Sequence, residues 1–71
     1  MNAAWTERDV ALYRAVTKAR GLIRAGMFPT AAAGIACADG LADQRERVKN
    51  LAVSAEQACE AARVWIQENV K

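Results

Sequence analysis

Residues 30–51, TAAAGIACADGLADQRERVKNL, decide the fold. The first half, Ala31 to about Asp39, consists almost wholly of small side chains, which form helix readily and let helix axes approach closely. Phe28 and Pro29 precede it and turn the chain, because proline fixes its own φ and discourages helix at the residue before it. Thr30 then stands where a capping oxygen is wanted. Gly40 ends the segment, and Leu41 and Ala42 bridge to Asp43. Asp43 and Glu46 have the spacing of a capping pair, so a third helix is expected from there. In it Val48, Leu51 and Ala52 fall on the inward side, while Gln44, Arg45, Arg47, Lys49 and Asn50 project outward.

Upstream, Thr6 and Asp9 form a capping box that starts a helix near Glu7. Trp5, Leu12, Val16, Ala19, Ile23 and Met27 recur at steps of three, four and seven, which makes them the core stripe. Tyr13, Arg14, Thr17, Lys18, Arg20 and Arg24 lie opposite. The helix is expected to end near Ala25, with Gly26 in the left-handed conformation. Downstream, Ser54 and Gln57 read as a further capping box, opening a last helix to about Val70. Its inner face is Ala55, Ala58, Cys59, Ala62, Trp65, Ile66 and Asn69. The expected fold is all-α: one domain, residues 1–71, a compact bundle of about four short helices.

Composition agrees with that class. Among 71 residues there are 17 alanines but only 19 larger apolar side chains, so the core is thin and strands are not expected. A chain this short removes roughly 60% of its unfolded surface from water, and self-association is a common remedy for the shortfall. Gly21 and Gly34, within helical segments, imply a neighbouring backbone or a bulky ring such as a tryptophan pressed against them. Cys37 and Cys59 read as buried thiols rather than a bridge. No signal peptide is apparent, and no apolar run approaches the ~20 residues of a membrane span, so a soluble, cytoplasmic protein is expected.

The chemistry of an enzyme is missing. There is no histidine to activate a Ser or Cys nucleophile, and two cysteines on different helices are too few for a structural zinc site. No carboxylate pair lies in an apolar segment. Glu56 and Glu60 share a helix face, but with Gln57, Arg63 and Gln67 around them they read as a solvated surface. The four glycines are dispersed, so no phosphate loop exists. Neither catalytic residues nor metal nor cofactor is expected, and the chain is read as working by binding. Its net charge is +2, and residues 1–50 carry eight Lys or Arg against five Asp or Glu. That bias permits a polyanion partner but is far below what electrostatic nucleic-acid binding alone requires.

The centre, with Ala36 before Gly40 and with Val48 and Leu51 after it, resembles the helix-turn-helix DNA-binding regulators over residues 30–51. The connection from Gly40 to Val48 is about two residues longer than the usual spacing in that family. The resemblance implies that the third helix reads duplex DNA through Gln44, Arg45, Arg47, Lys49 and Asn50, with Arg14, Lys18, Arg20 and Arg24 as phosphate contacts. A homodimer would form through Ala58 and Ala62 of the last helix, with Trp5 or Trp65 at the seam. The function expected on this basis is a small regulator of bacterial or phage type. The alternative is a protein-binding inhibitor or adaptor, of the kind mobile elements encode, that occupies a host protein. The same charges also suit a reading without any partner, since Lys and Arg late in a helix complement its dipole.

Overall fold

The computed structural model describes residues 4–38 and 40–70. Three α-helices are present among them: α1 (Glu7–Arg24), α2 (Pro29–Ala36) and α3 (Arg45–Asn69), with a short 3-10 turn at Ala42–Gln44. The capping box of α1 forms as the sequence implies. The Asp9 amide donates to Thr6 Oγ1 and the Thr6 amide to Asp9 Oδ2, both at 3.1 Å. Gly26 and Gly40 adopt φ of +108° and +93°, the conformation that only glycine takes without strain, and they close α1 and the segment after α2.

The expected fourth helix does not exist separately, because α3 runs unbroken for 25 residues through Ser54 and Gln57. No Gly or Pro lies between Arg45 and Asn69, and the alanines flanking Ser54 favour continued helix over the local side-chain bond of a cap. Two further caps are corrected. Pro29, not Thr30, begins α2, since its fixed φ is already helical and its missing N–H would be unsatisfied there anyway. Asp43 lies in the 3-10 turn and α3 begins with no side-chain cap. Asp39, where the sequence ends the second helix, lies outside the described residues.

Ion pairs fix how the helices run. Arg8 meets Asp43 at 2.8 Å and Arg20 meets Glu56 at 2.9 Å, sequence separations of 35 and 36, so α1 and α3 lie parallel. The short α2 returns between them: Pro29 and Thr30 share a cleft with Val53 and Ser54, while Ala33 shares one with Arg45 and Glu46. Ala15, Ala19, Ala32, Ala33, Cys37, Leu41, Val48 and Ala52 form the buried core, with Leu12, Val16, Ile23 and Met27 packed at its edge. Among the described residues Val48 is the one large side chain that is wholly enclosed. The core is therefore made chiefly by alanine surfaces in close approach.

Several expected core members are outside. Trp5 is exposed and stacks edge-on against Tyr13 at 5.7 Å, because it precedes the cap of α1 and has no helix opposite it. Leu51 is exposed at the flank of the buried stripe that Val48 and Ala52 form. Cys59 is exposed while Cys37 is buried. No ring presses on the glycines: nothing lies within 4 Å of a Cβ built at Gly21, and only the Arg45 side chain, at 4.0 Å, approaches one at Gly34.

The two parallel helices differ in length. At 1.5 Å per residue α1 spans about 27 Å and α3 about 37 Å, and their starts are level, so α3 overshoots. The radius of gyration is 14.2 Å, against about 11 Å for a compact chain of this length.

Candidate functional site

The structure disperses the side chains that the sequence proposes for DNA. Arg45 lines the cleft between α2 and α3 with Thr30, Ala33 and Lys49, while Arg47 lines the opposite groove with Arg8, Leu12 and Gln44. Asn50 sits with Pro29 and Val53. Arg14 and Lys18 border a third groove, between α1 and α2. Lys49 is bound to Glu46 at 3.0 Å, and Gln44 donates to Asp43 at 3.2 Å. Val48 braces this segment from within, but Leu51 does not.

Arg20 and Arg24 are occupied. Both reach Glu56: Arg20 Nε at 2.9 Å, Arg24 Nη2 at 2.9 Å and Arg24 Nε at 3.2 Å. The Glu56 side chain keeps only 18% of its exposure, which corrects the solvated reading. Hydrogen bonds from Arg24 and then Arg20 hold its carboxyl below the usual range, and the bond to Glu56 raises both arginines in turn. The i, i+4 spacing of the two arginines was the only sequence hint, and the acid they meet is more than thirty residues away. Because the folded-state pKa is depressed, the clasp contributes fully above the ordinary carboxylate value of about 4.3 and is lost as pH falls through the lowered one. Urea denaturation at pH 6 and pH 3 checks this. Glu56→Gln, less stable at pH 6, is expected to lose less on acidification than the parent chain.

Cys59 Sγ accepts from Arg20 Nη2 at 3.3 Å, and beyond it no hydrogen bond or ion pair ties α3 to another helix among the described residues. Every residue from 57 to 70 is exposed, a helical arm about 20 Å long of which roughly the last 10 Å outruns α1. The buried stripe of α3, Val48, Ala52 and half-buried Ala55, continues along it at the same three- and four-residue steps as Cys59, Ala62 and Ile66. Trp65, Ile66 and Val70 are 62%, 51% and 62% exposed. Beside this stripe, one turn from Cys59 and from Ile66, Arg63 holds Glu60 at 2.9 Å, and at the tip Asn69 Nδ2 donates to the Trp65 carbonyl at 2.8 Å. Ala58, Ala62 and Trp65 thus share one apolar sector of the arm. Trp5 stands at the other end of the molecule, beside the start of α1, and does not join them.

The apolar sector offers shape and dry area rather than reactive groups. Among the described residues no cluster of Cys, Asp or Glu is placed to hold a metal ion, and no buried side-chain polar atom lacks a partner. Burial raises the Cys37 thiol, which keeps it protonated. Among the same residues no helix is long and apolar enough to cross a membrane. Comparisons of the chain with protein-family models, curated proteins and solved structures found no match.

Proposed function

We propose that this chain is a non-enzymatic protein-binding module that docks through the projecting half of α3. One observation carries the proposal: beyond Cys59, which Arg20 of α1 still meets, the apolar stripe that builds the core continues as Ala62 and Ile66 with Trp65 beside it, all exposed. Large contiguous apolar surface mostly marks an interaction site, and a helix that presents anchors at i, i+3, i+4 and i+7 suits a helical partner or a groove. Aromatic anchors such as Trp65 dominate the energetics of such contacts.

Duplex DNA binding is the second reading. In its favour, Arg14, Lys18, Arg45 and Arg47 have no carboxylate within salt-bridge distance among the described residues. Against it, residues 37–44 separate α2 from α3, where a helix-turn-helix uses a turn of about three or four residues. These four cations are also divided among three grooves.

Photo-crosslinking separates the readings. A photoreactive side chain in place of Ala61, in the apolar sector of the arm, is expected to give a protein adduct that survives nuclease, and one in place of Arg47 none. Adducts found only from position 47 and removed by nuclease would replace the protein-docking reading with DNA binding.

A further inference from the structure

We infer that the occupant of the arm is the arm of a second copy, laid antiparallel across a two-fold axis at Ala62. The inference rests on the protein-docking reading above and names its partner.

The arm is graded in size along its length. Its apolar sector is small toward the core, with Ala55, Ala58, Cys59, Ala61 and Ala62, and bulky toward the tip, with Trp65, Ile66 and Val70. Two copies side by side and parallel would set Trp65 against Trp65 and leave a gap between the alanines. Reversing one copy about Ala62 removes both faults. Trp65 then falls against Ala58 of the second copy and Ile66 against Cys59, and by symmetry each contact occurs twice. The same reversal brings Asn69 level with Ala55. A partner of unrelated sequence would need the opposite gradient, which a second copy supplies of itself.

Area and charge agree. Trp65, Ile66 and Val70, with the small residues between, offer on the order of 500 Å² per copy, so that the pair buries about 1,000 Å², the least expected of a specific interface. Ala58, Ala62 and Trp65 carry no charge, and Arg63, which borders the sector between Cys59 and Ile66, is paired with Glu60, so self-pairing opposes no unneutralised like charges at its centre.

Sedimentation equilibrium of the full chain from about 1 μM to about 1 mM, together with cysteine crosslinking in a Cys59→Ala background, tests the inference. The expected mass rises with concentration from 7.7 kDa toward twice that value. Trp65→Ala is expected to weaken the dimer by about a hundredfold or more at unchanged helix content, because symmetry removes two anchors at once. Ala62→Cys is expected to form an intermolecular disulfide. Asn69→Cys is expected to form none, since its two copies would stand about 21 Å apart along the axis. Crosslinking at both positions would mean parallel pairing and overturn the register. A dimer insensitive to Trp65→Ala would place the contact elsewhere. A chain monomeric across the whole range would overturn self-pairing; in that case a foreign protein crosslinked at position 61 would leave the docking reading standing, and an arm that bound only anionic lipid vesicles would end both.

Discussion

Val48→Ala is expected to lower the unfolding free energy by about 2–3 kcal/mol, the largest loss from any single truncation in the core. Among the described residues Val48 is the only large side chain with no exposure, and the buried cluster it belongs to is mostly alanine, drawn from all three helices. Two lost methyl groups remove about 1.5 kcal/mol of transfer free energy, and the rest is the cavity term. That term is near its full size here, because alanine has no rotamers with which to close a void. A chain of this length has a total stability of roughly 4–10 kcal/mol, so the variant gives up a quarter or more of it. The melting temperature should fall by about 10–20 °C. A loss under about 1 kcal/mol would mean that the helices collapse around the gap and that the core is softer than its packing implies.

Ala19→Leu should destabilise from the opposite direction, by about 1–3 kcal/mol. Ala19 has no exposed surface, and the contact of α1 with its neighbours depends on the absence of atoms beyond Cβ. Added carbons force the helix axes apart and loosen Ala32, Ala33 and Ala52 together. The same exchange at exposed Ala31, near the start of α2, is the control and should stay within about 0.5 kcal/mol of the parent. Urea midpoints of the two variants measure the difference. Equal effects would show that helix propensity, not packing volume, governs these positions.

Local chemistry made part of this fold legible in advance. Thr6 with Asp9 and the glycine at 26 mark α1 to within a residue at each end, because caps and left-handed turns depend only on near neighbours. The same rule misled at Ser54 and Gln57. Their spacing suits a cap, yet spacing alone does not weigh one side-chain hydrogen bond against the helix-favouring residues on both sides, Leu51, Ala52, Ala55, Glu56 and Ala58. Thr30 failed similarly beside Pro29, whose ring had already fixed the first helical φ. Periodicity placed Ala58, Cys59, Ala62, Trp65, Ile66 and Asn69 on an inner face, yet all are exposed, because periodicity carries no information on whether anything lies opposite. That depends on α3 outrunning its parallel neighbour, a consequence of register between helices more than thirty residues apart. The clasp on Glu56 was hidden for the same reason.

Amide hydrogen exchange along α3 at low and high chain concentration tests most directly whether the arm is a covered surface in solution. Protection of residues 58–69 is expected to rise toward that of residues 48–55 as concentration increases, and to fall away on dilution while α1 and the core half of α3 keep theirs. Arm amides that exchange like an unfolded peptide at every concentration, or whose protection ignores concentration, would contradict the pairing of two arms.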